Sequence, residues 1–386
     1  RGRPPVGGDE FVVLLGPPAP GWEVGRGRGT SERDARSLAD RLRAVACEPV
    51  EHEGRSHVLC VSIGIRVASP GLSAQDALRD ADVAMNRAKR DGRDAVVLFA
   101  QEQRAGARHD ATAEQLLRQA LALDGLGDAL SVAYQPVFDL STGRLRSFEA
   151  LARLQGVDGE PLAAQDFIAV AEQTGLITAL DRWVIDRACR DGAAMVASGL
   201  LSDRAHVAVN VGVRDVCDAL VVSMVVSSVA AAGPGFGYER LVVEVTETAM
   251  MNDSDAAQQA LQELRDLGVG VALDDFGTGY SSLSYLSRLP VHEVKIDKHF
   301  VLGMRADEHD AAIVRSIIDL GASLGLQVVA EGVEDAVTWD RLRALGCDLA
   351  QGWFLSRAMP LADVPHWVAE HVPRTGWPPM PLARAQ

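Results

Sequence analysis

Two adjacent aspartates stand where an apolar strand pattern gives way to glycines. Residues 269–283 read VGVALDDFGTGYSSL, so Asp274 and Asp275 follow an apolar run and precede a Gly-Thr-Gly segment. Successive side chains of a strand point to opposite faces, so the two carboxylates can meet at one site only where the strand ends and the chain turns. Such a pair suits a metal ion. A solvated Asp-Asp turn is the ordinary interpretation of a single pair, and the pair alone leaves both open.

The same arrangement recurs along the chain, in elements that would position such a pair. Short β-branched runs end at or near a carboxylate, an amide or an amine. These polar residues are Glu149, Asn210, Glu244, Lys295, Glu331 and Gln351. Helical patterns lie between the runs, over residues 165–172, 181–197, 213–230, 255–267, 307–324 and 335–345. About eight strand–helix units over roughly 250 residues predict an α/β fold, a (β/α)8 TIM-type barrel of parallel strands with all these residues at one mouth.

Charge and cysteine content restrict the function further. The 386 residues carry 53 acidic and 38 basic side chains, a formal charge of −15, which argues against a nucleic-acid polymer as partner. The five cysteines are scattered without a C-x-x-C pair, and H-x-x-x-H spacing is absent, so a zinc site of His and Cys is not expected. An all-oxygen site for a hard cation remains.

The chain is expected to be soluble and cytoplasmic. Scattered thiols are typical of a reducing compartment, and no apolar run approaches the ~18 residues of a membrane helix. The chain begins at Arg1 rather than Met, so a longer parent protein could carry a membrane anchor upstream.

Composition and pattern divide the chain into two parts joined by a helix. Residues 1–100 are predicted to be the later part of a smaller α/β domain whose first half is missing. Its predicted elements are a strand at 11–15 after a Gly-Gly-Asp turn, helices over 31–45 and 73–90, paired strands around 50–53 and 57–67, and a closing strand at 95–99. Residues 101–123 are predicted to be a linker helix, 124–370 the barrel and 371–386 a proline-rich tail.

Seven short motifs together resemble one family. They are Tyr134-Gln-Pro-Val, Glu149-Ala-Leu-Ala-Arg153, Glu244-Val-Thr-Glu247, Asp274-Asp-Phe-Gly-Thr-Gly, Lys295-Ile-Asp-Lys298, Glu331-Gly-Val-Glu334 and Gln351-Gly-Trp-Phe. The set resembles the EAL-domain phosphodiesterases, which hydrolyse cyclic di-GMP, over roughly residues 112–370. Residues 7–11 (GGDEF), 61–64 (VSIG) and 81–89 resemble the GGDEF diguanylate cyclase domain.

The EAL resemblance implies a centre of two divalent ions, Mg²⁺ or Mn²⁺. The ligands of one ion would be Glu149, Asn210, Glu244 and Asp274, and those of the second Asp274, Asp275 and Glu331. Carboxylate and amide oxygens suit these hard cations. The catalytic residues would be Lys295, Glu331 and Asp275, with Lys295 orienting the attacking water rather than lying solvated at the surface.

The resemblance also implies residues that bind substrate and support a loop. The substrate-binding residues would be Gln135, Arg153, Asp297 and Gln351. For the two glutamines, capping a strand-end backbone group is an equally open role. Glu247 is expected to brace the loop after Asp275, and Gly277 and Gly279 are expected to let that loop turn.

Two positions depart from the family's usual pattern. Asn210 is followed by Val-Gly where the family usually has Leu-Ser, so Gly212 lacks a hydroxyl that could cap the next helix. Trp353 replaces a commoner tyrosine, which is expected to alter the packing of the substrate pocket.

The implied function is metal-dependent hydrolysis of cyclic di-GMP to linear pGpG in bacterial second-messenger signalling. The alternative is a catalytically silent cyclic di-GMP receptor, which is less favoured because every expected ligand is present. Family members often pair through the face near the Asp274 loop, so a homodimer through the EAL domain is expected. The GGDEF-like part is expected to be inactive as a cyclase, because that family's Mg²⁺-binding aspartate and guanine-binding helices would precede Arg1.

Overall fold

The chain forms two compact units, Arg1–Thr112 and Ala113–Gln386. A computed structural model describes residues 11–15, 32–47, 50–52, 55–57, 61–67, 72–90, 94–122, 129–157, 159–201, 205–247, 254–278, 286 and 289–371. The expected Gly-Gly-Asp turn, Gly279 and the tail after residue 371 lie outside these residues. Within the described ranges, no helix combines the length and apolar character needed to cross a bilayer.

The described residues of the first unit form two complete helices, the start of a third and two pairs of short strands. The helices are α1 (Glu32–Ala46) and α2 (Ala74–Arg90); β1 (Val50–His52) is antiparallel to β2 (Arg55–His57), and β3 (Ile63–Ile65) is parallel to β4 (Val96–Leu98). Helix α2 packs so closely on β3 that a Cβ on Gly64 would lie 2.0 Å from the carbonyl oxygen of Ala81.

The strand predicted at residues 11–15 is wrong. These residues have no regular secondary structure, and Phe11 and Leu14 are 73% and 72% exposed. An apolar run becomes a strand only when a neighbouring strand accepts and donates its backbone hydrogen bonds, and no such pairing to these residues occurs among the described strands.

Helix α3 (Gln101–Ala122) begins in the first unit, and the division between the units falls within it, after Thr112. Ala113, Leu117 and Ala120 are buried in the core of the second unit. Their spacing of three to four residues is that of one face of a helix.

The second unit is a closed barrel of eight strands with helices around it. The strands are β5 (Leu130–Asp139), β6 (Leu145–Leu154), β7 (His206–Asn210), β8 (Leu241–Thr246), β9 (Gly270–Phe276), β10 (Glu293–Ile296), β11 (Gln327–Ala330) and β12 (Leu349–Ala350). They neighbour one another in chain order, and the pairing of β12 with β5 closes the ring. Strand β13 (Met359–Pro360) adds to β5 outside the ring. The predicted TIM-type barrel is confirmed.

The first barrel strand departs from the predicted parallel arrangement. Strand β5 is antiparallel to both β6 and β12, whereas β6 to β12 are all parallel. The physical cause is the short link between β5 and β6: Asp139 accepts a hydrogen bond from the amide of Thr142 at 2.7 Å, and Gly143 has a φ of 65°. A tight turn can join only antiparallel strands, because a parallel pair needs a long crossover.

Helices follow the strands as the periodicity predicts, with one break. They are α4 (Ala164–Thr174), α5 (Ile177–Ala197), α6 (Val213–Cys217), α7 (Leu220–Ala232), α8 (Ser254–Asp266), α9 (Lys298–Gly303), α10 (Glu308–Leu324), α11 (Ala336–Ala344) and α12 (Val364–His371). The single helix predicted over 213–230 is wrong, because Ala219 adopts a left-handed φ of 54° and separates α6 from α7. A left-handed residue cannot continue an α-helix.

Candidate active site

The strands of the barrel carry small apolar side chains inside and polar side chains at the mouth. Two small buried clusters form, Val137 with Val329 and Leu349, and Ala208 with Val242 and Ala272. On five of these strands, the residue two positions after the clustered apolar residue is polar. These polar residues are Asn210, Glu244, Asp274, Glu331 and Gln351. Because side chains alternate along a strand, residues two apart share a face. The predicted polar residues therefore rest on an apolar plug at the carboxyl ends of the strands.

A β-bulge explains how Asp274 and Asp275 reach the same site. Leu273 pairs with Val294 and Phe276 with Ile296, so the two aspartates of β9 lie opposite the single residue Lys295 of β10. Asp275 has a φ of 53°, which interrupts the alternation of the strand. Bulges of this kind redirect side chains beside active sites.

The bulge brings three carboxylates together. Asp274, Asp275 and Glu331 each offer one oxygen, and the three oxygens lie within 4.8 Å of one another. An all-oxygen donor set at this spacing fits a hard divalent cation such as Mg²⁺ or Mn²⁺. The acids predicted for the second ion are thus the ones that converge.

Lys295 lies at the centre of the acids rather than at an exposed mouth. Its Nζ is 2.7 Å from Glu244 Oε2 and from Glu331 Oε1, and 3.5 Å from oxygens of Glu149 and Asp274. Its side chain is only 2% exposed. Burial lowers the pKa of the ammonium, but the surrounding carboxylates raise it well above its ordinary value. A solvated lysine, the open alternative, does not describe this side chain.

Glu149 joins the polar residues on the other side of the mouth. Its Oε1 accepts from Asn210 Nδ2 at 2.7 Å and its Oε2 from Gln351 Nε2 at 2.6 Å. Gln351 also donates to Gln135 Oε1 at 3.1 Å, and Gln135 donates to the backbone oxygen of Ser356 at 3.1 Å. Gln351 Oε1 is buried without a hydrogen-bond partner among the described residues.

The carboxyl groups do not share one electrostatic environment. Burial raises the pKa of Glu331 to about 8, against the lowering effect of Lys295, and burial with Asp274 raises that of Asp275 to about 6. For Glu149, burial is outweighed by the ammonium of Lys295 and by amide donors, so its pKa lies below the ordinary value. Crowded acids that resist simultaneous ionisation are those for which a divalent cation has the largest effect.

Arg153 and Asp297 lie at the edge of the group, each with a local partner. Arg153 is on the same face of β6 as Glu149 and donates to the backbone oxygen of Ala152 at 2.9 Å. Asp297 caps α9, accepting from the amide of His299 at 2.8 Å, and its carboxyl is near enough to Asp275 to raise the pKa of that acid. Contacts with a substrate stay a prediction for both residues.

The loop after Asp275 accepts support from Glu247 and requires a glycine at position 277. The amide of Gly277 donates to Glu247 Oε2 at 3.4 Å. Gly277 has a φ of 103°, and a Cβ there would lie 3.0 Å from Phe300 Cε2. Both observations agree with the supporting roles predicted for Glu247 and Gly277.

One further residue near Gln351, Arg357, was not predicted from the sequence. The guanidinium of Arg357 lies 4.1 Å from the ring centroid of Trp353, which is 58% exposed. The signal was available, since Trp353 and Arg357 are four residues apart after the Gln-Gly pair. An exposed indole held by an arginine is a flat surface on which a planar base can stack.

Family comparisons agree with this geometry. Residues 114–358 match the model described as the EAL domain. The chain belongs to the EAL domain family. Residues 5–95 match the diguanylate cyclase, GGDEF domain. Both predicted resemblances are confirmed.

Similar proteins of known name include phosphodiesterases. Cyclic di-GMP phosphodiesterase NbdA of Pseudomonas aeruginosa is 36% identical over 92% of this chain and 43% of its own length. The bifunctional diguanylate cyclase/cyclic di-GMP phosphodiesterase MucR of the same species is 35% identical over 92% of this chain and 49% of its own. The chain thus spans about half the length of the curated relatives it matches.

A solved structure shares the barrel. The PaMucR phosphodiesterase in its c-di-GMP complex has a TM-score of 0.60 and 37% identity, covering 64% of this chain and 99% of that one.

Proposed function

We propose that the chain hydrolyses cyclic di-GMP to linear pGpG with two divalent ions, Mg²⁺ or Mn²⁺, at the barrel mouth. The observation that carries the proposal is the bulge in β9, which places Asp274 and Asp275 beside Glu331 with their oxygens within 4.8 Å. The named relatives NbdA and MucR, both cyclic di-GMP phosphodiesterases, support the choice of substrate.

The proposed ligands form two sets, one for each ion. Glu149, Asn210, Glu244 and Asp274 would hold one ion, and Asp274, Asp275 and Glu331 the other. When bound, the two ions supply Lewis acidity, which lowers the pKa of water and offsets phosphate charge.

The chain's own residues would position water and substrate. Lys295, which already donates to Glu244 and Glu331, would hold the attacking water for in-line displacement. The water oxygen bonds to phosphorus while the P–O3′ bond breaks, and the leaving oxygen takes a proton. Asp275 and Glu331 are the carboxylates proposed to take part in this exchange.

The substrate would be held around the metals. Arg153 offers a planar guanidinium suited to two phosphate oxygens, and Gln135, Gln351 and Asp297 offer hydrogen bonds. Burial lowers the pKa of Arg153, with Glu149 opposing the change, so the guanidinium is partly desolvated. A partly desolvated cation binds a phosphate more strongly than a hydrated one.

The test is to incubate the chain with cyclic di-GMP and Mn²⁺ or Mg²⁺ and to identify the product. We expect pGpG from the wild type and none from Glu149→Gln, whose volume is matched but whose charge is lost. Glu160→Gln is the control, because Glu160 is an exposed acid to which no metal or substrate contact is assigned. A Glu149→Gln protein with the full rate would contradict the ligand assignment.

The receptor alternative predicts a different outcome of the same experiment. Cyclic di-GMP would then bind tightly to the wild type and remain intact at every metal concentration. The crowding of acids around Lys295 favours the enzyme, because a site for ligand binding alone has no need of so many buried carboxylates.

A homodimer through the EAL domain is part of the proposal. An apolar groove lies beside Gly277, lined by Phe276, Ile313, Ile317 and Leu320. Sedimentation analysis of the wild type and of Ile313→Asp is the test: a dimer that the substitution dissociates supports this face, and a wild-type monomer rules it out.

A further inference from the structure

Two buried carboxyl groups lie behind the strand end that carries Asn210, and the proposed chemistry uses neither. Asp181 is on α5 and Asp215 on α6, with exposed fractions of 5% and 0%. Burial of two acids side by side is unfavourable unless hydrogen bonds or a shared proton compensate. Their position therefore calls for a role.

Each of the two acids accepts a hydrogen bond from a neighbouring residue. Thr178 Oγ1 donates to Asp215 Oδ1 at 2.6 Å, and Asp181 Oδ2 accepts from the amide of Gly212 at 2.6 Å. The two carboxyl groups are close enough for Asp215 to raise the pKa of Asp181. Among the described residues, Asp215 Oδ2 is a buried acceptor without a hydrogen-bond partner. A proton on Asp181 would give it a donor. Burial raises the pKa of Asp181 well above its ordinary value, and the charge of Asp215 adds to the effect.

The amide that donates to Asp181 belongs to the turn that carries Asn210. Gly212 is two residues past Asn210 and precedes α6 with φ −65° and ψ 146°, and no side chain among the described residues caps that helix. A Cβ on Gly212 would lie 2.9 Å from Ile177 Cγ1 and 3.2 Å from Asp181 Oδ2. The missing side chain leaves room for Asp181 to reach the backbone, so a carboxyl from α5 accepts a hydrogen bond from the amide of Gly212 itself.

Consecutive amides after Asn210 are therefore both anchored. The amide of Val211 donates to the backbone oxygen of Glu244 at 3.0 Å, and that of Gly212 donates to Asp181. The Asn210 side chain donates to Glu149 through Nδ2, so the position of its oxygen depends on the position of the Asn210 backbone. A small rotation of this turn would move that oxygen.

We infer that Asp181, paired with Asp215, is a positioning residue that holds Asn210 in place for metal binding. This role rests on the proposed function, because it assigns Asn210 as a ligand. Residues that orient metal ligands commonly change metal affinity by about 10–100-fold when they are removed.

The test is direct titration of the full chain with Mn²⁺, following the free ion by electron paramagnetic resonance. Asp181→Leu removes the acceptor, and we expect its dissociation constant for Mn²⁺ to rise about 10-fold or more. Asp181→Asn matches a protonated aspartate, since its oxygen can accept from Gly212 while its amide donates to Asp215. We expect the asparagine variant to bind Mn²⁺ as the wild type does.

A stability control separates positioning from general damage. Asp307→Ala removes another carboxylate that accepts a backbone amide, that of His309 at 2.7 Å, at the start of α10. It should lower the melting temperature without changing the Mn²⁺ dissociation constant. If Asp181→Leu does the same, the inference is overturned.

If Asp181→Leu does not fold, Thr178→Val decides. This substitution keeps the side-chain shape but removes the donor to Asp215, and a dissociation constant equal to that of the wild type would overturn the inference. Failure of the proposed function is distinguishable, because the wild type itself would then bind no Mn²⁺ or leave cyclic di-GMP intact.

Discussion

Replacement of Lys295 by methionine tests whether the acids at the mouth form one electrostatic unit. The substitution keeps most of the side-chain volume and removes an ammonium that lies within 3.5 Å of four carboxylates. Two of these contacts, with Glu244 and Glu331, are 2.7 Å long. In the metal-free protein no other cation among the described side chains forms an ion pair with these acids.

The expected loss of stability follows from burial and from the ability of the acids to take up protons. Removing one partner of a buried ion pair costs about 3–5 kcal/mol. Because burial already raises the pKa of Glu331 to about 8, that acid can accept a proton near neutral pH and limit the loss. We therefore expect about 3 kcal/mol, which lowers the melting temperature by roughly 6–12 °C for a domain of this size.

The assay is thermal unfolding with a chelator and with saturating Mn²⁺, together with the rate of pGpG formation. Lys295→Met should lose hydrolysis, melt earlier without metal, and gain more stability from Mn²⁺ than the wild type does, because the competing cation is gone. Lys298→Met is the matched control, since Lys298 is exposed three residues further on. A metal-free Lys295→Met protein as stable as the wild type, or one that gains no more from Mn²⁺, would refute the reasoning.

Three further predictions concern the loop, the barrel interior and the rim. Gly277→Ala should lower the free energy of unfolding by about 1–3 kcal/mol and raise the Mn²⁺ concentration needed for hydrolysis. The reason is that Gly277 has a φ of 103° and an added Cβ would meet Phe300. Gly325→Ala is the control for backbone strain alone, because Gly325 has a φ of 70° and an added Cβ would lie in open space. Burial raises the pKa of Glu293 from 4.5 to about 7, so the folded state binds the extra proton and stability falls as the pH rises through that interval. Glu293→Gln should remove this fall. In urea unfolding, the free energy of unfolding of the variant minus that of the wild type should be about 3 kcal/mol larger at pH 8 than at pH 4.5. An equal difference at both pH values would contradict this prediction. Trp353→Ala should raise KM for cyclic di-GMP about 10-fold with little change in melting temperature, because the ring is 58% exposed, whereas an unchanged KM would exclude base stacking.

The ends of the barrel strands could be predicted from the sequence, but their directions could not. The β-branched runs that end in Asn210, Glu244 and Glu331 mark both a strand and its polar terminus. The direction of β5 could not be predicted from its own residues. It is antiparallel because of the short turn at Asp139 and because it pairs with β12, a strand about 210 residues later. Similarly, the break at Ala219 lies within a continuous apolar pattern, and only packing reveals it.

The sequence by itself determined which residue types gather at the mouth: a carboxylate, amide or amine after each strand pattern, and glycines where the chain must turn. Parallel strands end at one rim, so their order along the chain is enough to bring these groups together. Tertiary structure alone decided how they meet. A bulge opposite Lys295 turns Asp274 and Asp275 toward one site, and Asp181 reaches the backbone beside Asn210 from another helix. Both depend on pairing and packing between segments far apart in the chain, which local pattern does not encode.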